Sequence, residues 1–325
     1  VVRGGPAGRY GAGGPVGPPA RKGRPGTGRG GTGRQAKCSR NPLSACRGRA
    51  AQEGITTITT TSQTERYGDE LFSASHGDES ERLKCLADTF DPVSRANLLA
   101  LGLAPGWRAL DVGAGTGSLG SWLASAAGPS GQVTVVDRDT RFLRHLASEG
   151  VQVAEADVTD PAFHPGLFDL VHARFVLMHL RDREEVLRRL ASWLRPGGLL
   201  VVSDSLAVGG QTSPHEAYRR TTTAFWEMLA ETIGSDGNCV TQYPRMLTGL
   251  GLRDIGTHVQ LPVVGLHVPY GRFLELTLEQ SKGRLAGAGL PGPVYDEALA
   301  HLRDARARET FFAMATCWGR APAHP

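Results

Sequence analysis

The sequence predicts an α/β protein built on a doubly wound parallel sheet, and three observations carry that prediction. Short apolar runs alternate with amphipathic helical stretches between about residues 106 and 205. A glycine-rich turn, "GAGTG" at 113–117, joins the first run to the first helix. Strand, helix, strand, helix at this rhythm requires crossovers, and so a sheet covered on both faces.

The elements follow in order. "DESERLKCLADTFDPVSRANLLALGL" (78–103) has leucines and Phe90 at helical spacing and reads as two helices broken near Pro92, whose ring removes a backbone donor. Pro105 and Gly106 punctuate the chain before "RALDVG", a short buried strand. "TGSLGSWLASAAG" is helical, "QVTVVD" (132–137) a strand, and "RFLRHLASEG" (141–150) a short helix ended by glycine. "VQVAEAD" (151–157) and "FDLVHAR" (168–174) are further strands. "DREEVLRRLASWLRPGG" (182–198) is a helix with an acidic first turn, stopped by Pro196, Gly197 and Gly198. The apolar "LLVVSDS" (199–205) completes the series.

After Ser205 the rhythm changes. A long helix is expected over 214–234, a shorter one around "TQYPRMLTGLG", a strand over 252–265, helices over 270–287 and 293–307, and a final strand over 310–321. That last strand is expected to pair antiparallel in the region of the sheet edge.

The net charge of +4 conceals two unlike parts. Residues 1–52 hold nine Arg, two Lys and no acid, while the rest of the chain holds 25 basic against 32 acidic side chains. Gly, Pro and Arg offer little to bury, so residues 1–64 are expected to be a disordered extension and linker. With no Met before Met178, a dispensable extension is favoured over an RNA-binding arm. A mildly acidic body argues against a phosphate-tracking surface, so nucleic acid is disfavoured as a partner. Five scattered cysteines without a CxxC pair fit a reduced, cytoplasmic setting. No apolar stretch is long enough to span a membrane, and the N-terminus lacks the apolar centre of a secretory signal.

A glycine-rich strand-to-helix turn lets a ligand approach the backbone where a side chain would collide. Here the spacing is G-x-G-x-G with Asp111 two residues ahead, and Ser118 stands where a dinucleotide motif needs its third glycine. Asp137 ends the next strand, placed to take both hydroxyls of a ribose. Asp157 ends the third, placed to accept from an adenine amine beside the backbone and apolar edge of Val158. Three acids at successive strand ends suit an adenosine ligand with a cationic amino-acid end and no phosphate.

"ALDVGAGTGSLG", "VTVVDRD", "AEADV", "FDLVHARFVLMHL" and "LRPGGLLVVSDS", in this order, resemble the class I S-adenosylmethionine-dependent methyltransferases, with quinone-biosynthesis and actinobacterial natural-product enzymes most similar. The resemblance runs from about residue 65 to 320. It implies a seven-stranded Rossmann-like sheet with the last strand antiparallel, a helical cap over 65–105, a methyltransferase domain over 106–325 and a helical insertion near 209–250. It also implies S-adenosylmethionine as cofactor. Gly113, Ala114 and Gly115 would face the methionine portion, with Gly117 in the same cofactor site and Asp111 near the amino group. Asp137 would hold the ribose with Arg138 beside the adenine, Asp157 and Val158 the base, and Ala173 and Arg174 the other side.

Methyl transfer needs a base only when the acceptor must lose a proton. His179 is the candidate, with His215 a second; His172, inside a strand, reads as core. The chain lacks the Pro-Pro-aromatic run of amino-directed nucleic-acid enzymes and any Pro-Cys pair, and Arg174 stands where catechol-type enzymes hold magnesium. A small organic acceptor remains, with no metal expected. Tyr218, Phe225, Trp226 and Tyr243 are candidates to line its pocket.

Overall fold

The computed structural model describes residues 65–323, so the expected extension and linker over 1–64 lie outside the described residues. A seven-stranded sheet runs in the order β3-β2-β1-β4-β5-β7-β6. Strands β1 (Arg108–Val112), β2 (Gln132–Asp137), β3 (Gln152–Glu155), β4 (Phe168–Arg174) and β5 (Leu194–Leu206) are parallel. Strand β7 (Ala313–Arg320) is antiparallel to both β5 and β6 (Arg253–Gln260).

The two-residue period of each strand divides its side chains between two apolar layers. Ala109, Val133, Val135, Leu170, Leu199 and Val201 pack on one face, against Leu119 and Leu123 of helix α2 (Ser118–Ala127) and Leu98 of α1 (Glu79–Ala100). Their neighbours Leu110, Val136, Val171, Leu200 and Val202 pack on the other, against Val186, Leu187 and Leu190 of α3 (Arg183–Ser192). Both faces are thus apolar, as βαβ crossovers demand. A third cluster is rich in aromatic residues. It joins Phe72 and Phe90 to α4 (Glu216–Ile233), α6 (Pro269–Gly287) and α7 (Gly292–Leu302), and to Phe311 and Phe312. Helix α5 (Tyr243–Gly249) closes the second sheet face through Leu247. Among the described residues, no helix is long and apolar enough to cross a membrane.

Four expectations are corrected. Pro92 does not break the first helix: α1 is continuous over 22 residues with Pro92 inside it. The one carbonyl its ring leaves unbonded is that of Asp88, an exposed residue. Buried Phe90 and Leu98 anchor the helix on both sides of it. Residues 141–150 form a 3₁₀ turn, Arg144–Glu149, rather than an α-helix. The "LRPGG" run belongs to β5, because Leu194 pairs with Phe168 before the register shifts to Leu199 and Leu170. Strand β7 lies inside the sheet and β6 is the edge, so the final strand fills the gap that a parallel order would leave between β5 and β6.

Candidate active site

The strand order reverses between β1 and β4, and in open α/β sheets ligands bind at the carboxyl ends flanking such a reversal. A cavity of about 320 Å³ opens there. Its wall combines the strand-end residues Gly113, Ala114, Gly115, Asp137, Arg138, Asp157, Val158 and Arg174 with the aromatic side chains of Phe72, Phe225, Trp226, Phe273, Phe311 and Phe312.

The three glycines of the turn do different things. Gly113 has φ +69°, and a Cβ there would sit 2.2 Å from Val176 Cγ2, so it lets the β4–α3 loop close over the turn. Gly115 has φ +56° with nothing within 4 Å of a built Cβ: its open side is the part of the turn a ligand can approach. Gly117 is not in the cavity wall. A Cβ on it would strike Leu146 Cδ1 at 2.7 Å, so it serves packing against the 3₁₀ turn.

Asp111 is not brought to the cavity either. It pairs across the strands with His172, its Oδ1 2.7 Å from Nδ1, and both side chains are buried. Side-chain alternation turns it away from the site, between Leu110 and Val112 of the opposite layer. His172 is core, as expected.

Asp137 sits at the end of β2. The backbone N–H groups of Gly115 and Asp139 donate to its carboxylate at 3.0 and 3.2 Å. Burial holds its pKa above the ordinary carboxylate value despite those bonds. No cation pairs with it among the described residues, unlike Asp157, whose Oδ1 accepts from Arg66 Nη2 at 3.1 Å and from the Thr159 N–H at 2.8 Å. Burial alone would raise the Asp157 pKa, but Arg66 and Thr159 hold it well below the usual range. A base beside Asp157 therefore meets an Arg66–Asp157 pair rather than a bare carboxylate. Val158 is buried beside it, its carbonyl taken by Arg189 Nη1 at 2.7 Å.

Arg138 donates to Asp69 Oδ1 at 2.8 Å and to the Tyr67 carbonyl at 3.2 Å. With Arg66–Asp157, these bonds draw the segment just before α1 across the strand ends. Arg174 reaches the other way, donating to Asp91 Oδ1 at 2.7 Å and Ser94 Oγ at 3.0 Å, and so seats α1 over the cavity. Ala173 is buried in the sheet layer and does not line the site.

His179 lies in the cavity wall, in the 3₁₀ turn Leu177–His179 after β4. Its ring stacks on Tyr67 with centroids 4.2 Å apart, and Nδ1 is 2.7 Å from Ser235 Oγ. Burial, with Arg82 and Arg183 nearby, pushes its pKa down to about 3, so the imidazole is neutral. The loop leading to it is strained: Phe175 has φ +56°, uncommon for an aromatic residue. Its ring is held edge-on by Phe90 and Phe312, at 5.2 and 5.6 Å. His215 is an N-cap of α4, accepting from the Tyr218 N–H at 3.3 Å, and lies outside the cavity wall. Phe225 and Trp226 line the cavity, whereas Tyr218 and Tyr243 do not.

Tyr243 instead serves Asp204, the buried acid near the end of β5, donating to its Oδ2 at 2.5 Å. Burial pushes the Asp204 carboxyl up to about 7. The folded chain therefore binds a proton that the unfolded chain releases near pH 3.8. Stability from this group is complete below that pH and falls by up to about 1.4 kcal/mol per unit as pH rises toward 7. Asp204→Asn keeps the acceptor for Tyr243, so its unfolding free energy is expected to gain on wild type from pH 5 to 7 and to run parallel to it above that. Urea denaturation from pH 5 to 8 checks this; curves parallel below pH 7 would refute it.

The sequence led to an expected acceptor beneath helices 65–103 and 209–250, but not to the side chains of the first of these that reach it: Arg66, Tyr67, Glu79 and Arg82 all line the cavity. Glu79 and Arg82 are buried, with Arg82 Nε and Nη2 both donating to the carboxylate at 2.7 Å. In sequence, acid and base three apart on a polar helix read as a solvated face; only burial distinguishes them.

Residues 110–202 match the family model described as a methyltransferase domain. By this likeness, residues 110–202 carry a methyltransferase-type domain. The chain is 30% identical over 145 residues to the ubiquinone/menaquinone biosynthesis C-methyltransferase UbiE of Ectopseudomonas mendocina, covering 42% of this chain and 56% of that one. It is 28% identical over 163 residues to the phosphoethanolamine N-methyltransferase of Triticum aestivum, covering 48% and 30%. The chain thus spans about half or less of the curated relatives it matches. Among solved structures, Haemonchus contortus phosphoethanolamine N-methyltransferase 2, in complex with phosphomonomethylethanolamine and S-adenosylhomocysteine, superposes with a TM-score of 0.50 at 19% identity. It covers 76% of this chain and 58% of that one, a likeness of fold.

Proposed function

We propose that this protein transfers a methyl group from S-adenosylmethionine to a small organic acceptor. The observation that carries the reading is the pairing, in one cavity, of an open glycine backbone with a carboxylate that has no cationic partner. Gly115 leaves the space a close-approaching ligand needs, and Asp137 has acceptor capacity beyond its two backbone donors. Both suit the cofactor: Asp137 would take the ribose hydroxyls, Arg138 and Val158 would flank the base, and Ala114 and Gly115 would face the methionine portion. When bound, the cofactor supplies an electrophilic methyl group on a sulfonium.

The protein's contribution is then alignment and exclusion of water. Alignment of bound reactants is worth about 7 to 11 kcal/mol. The aromatic chamber supplies the dry wall, and Phe175 and Val176 set the turn that carries His179. With a pKa near 3, the His179 imidazole is a weak proton acceptor at neutral pH. We assign it to orienting an acceptor by hydrogen bonding rather than to full proton abstraction.

Titration of S-adenosylhomocysteine into the full chain is expected to give micromolar affinity, and incubation with S-adenosylmethionine and an acceptor is expected to release S-adenosylhomocysteine. No heat on titration overturns the reading. Binding without product from any acceptor points instead to a regulator that senses the cofactor.

A further inference from the structure

Among the described residues, each of the four arginines in the cavity wall faces a carboxylate: Arg66 with Asp157, Arg82 with Glu79, Arg138 with Asp69, and Arg174 with Asp91, which Arg95 outside the wall shares. Among the described residues, no lysine lines the cavity, and His179 is neutral. The cavity therefore offers no uncompensated cation to a phosphate group. What the aromatic part of the wall does offer is a pair of spare donors. Arg82 spends Nε and Nη2 on Glu79, and Nη2 also donates to the Tyr67 hydroxyl at 2.5 Å, leaving Nη1 with no partner among the described residues. That nitrogen is not sealed from solvent, as an occluded orphan would be. Tyr67 accepts from Arg82 and keeps its own O–H to donate.

The surroundings fix both groups. The Arg82 guanidinium lies 4.2 Å over the Phe72 ring and 5.4 Å from that of Phe273, and Tyr67 is stacked on His179. Phe225, Trp226 and Phe312 complete the wall. A ligand that fills this chamber buries a flat apolar body against aromatic rings and brings one oxygen to two converging donors. Leaving those donors unpaired beside a ligand without such an oxygen is costly, which is how polar groups in apolar sites discriminate.

Building on the methyltransferase reading, we propose that Arg82 and Tyr67 are acceptor-orienting residues. The acceptor is an aromatic or conjugated molecule presenting a carbonyl or phenolate oxygen, uncharged by phosphate.

The test uses the full-length chain with three probes: acetophenone, ethylbenzene, which has the same shape without the oxygen, and phosphoethanolamine. Affinities are measured by saturation-transfer NMR titration, for wild type, Arg82→Lys and Tyr67→Phe. Arg82→Lys keeps a cation facing Glu79 but removes the fork; Tyr67→Phe removes one donor and leaves the ion pair in place. Wild type is expected to bind acetophenone at least tenfold more tightly than ethylbenzene, with phosphoethanolamine weakest. The tenfold ratio is expected to fall below threefold in at least one variant, an effect that loss of packing alone would not produce because the two ligands share a shape. A wild-type ratio near one, undetectable acetophenone binding, a ratio preserved in both variants, or phosphoethanolamine binding most tightly would each overturn the assignment. S-adenosylhomocysteine titrated into wild type reads the underlying function separately: heat there with equal acetophenone and ethylbenzene affinities defeats this assignment alone.

Discussion

Replacing Glu79 with alanine is expected to destabilise the protein by about 3 to 5 kcal/mol, because it strands a buried guanidinium. Glu79 and Arg82 are 1% and 2% exposed, and the carboxylate takes two Arg82 donors at 2.7 Å. The nitrogens that bond Glu79 have little water to fall back on, since the Arg82 guanidinium packs against Phe72 and Phe273 and only Nη1 is left to the cavity. For a domain of this size the melting temperature should drop by on the order of 10 °C. Substituting both partners with apolar residues, Glu79→Leu with Arg82→Met, is expected to recover most of the loss, as isosteric replacement of a buried pair generally does. Urea unfolding followed by tryptophan fluorescence measures both variants. A loss below about 1 kcal/mol in Glu79→Ala would place the pair in the range of solvated surface bridges and refute its burial. The recovered double variant would be stable yet lack the donors proposed to orient the acceptor, separating the pair's role in folding from its role in the site.

The second large effect is on the cofactor. Asp137→Ala is expected to weaken S-adenosylhomocysteine binding by about 100-fold, or 2.7 kcal/mol. That is the scale of one or two hydrogen bonds to a charged acceptor, about 1.5 to 3 kcal/mol each. Stability should move in a different way. Burial already raises the Asp137 pKa, so ionising it is less favourable in the empty fold than in water, while Gly115 and Asp139 lose an acceptor on its removal. These effects oppose each other, and the net change in unfolding free energy should stay within about 1 kcal/mol. Asp137→Asn, which retains an oxygen for Gly115, should bind with intermediate affinity. Calorimetry beside denaturant unfolding tests the pair of statements together. Affinity within threefold of wild type would remove Asp137 from the binding site.

Local sequence carried much of this molecule's description, for identifiable reasons. The strand–helix rhythm, the two-sided apolar strands and the G-x-G-x-G turn are short-range patterns, and each was realised close to where it was written. The acid at the end of β2 was legible because strand ends flanking a glycine turn face one crevice. Asp111 shows the limit: the same motif includes it, yet strand alternation and a register that sets it opposite His172 send it into the sheet. Gly117 is similar, since the glycine pattern does not say that Leu146 will lie against it. Pro92 misled because the helix-breaking rule is local, whereas α1 is held by long-range packing and by Arg174 from β4.

By itself, then, the sequence determined the layer architecture, the parallel core and the location of the crevice, since backbone periodicity and glycine sterics act over a few residues. Tertiary structure alone decided which charges became partners. Arg66 meets Asp157 across 91 residues, Arg174 meets Asp91 across 83, and the Glu79–Arg82 pair left the surface of a polar-looking helix for an aromatic chamber. Charge pairing depends on distance in space and on the water excluded around it, and neither is encoded in the spacing of residues along the chain.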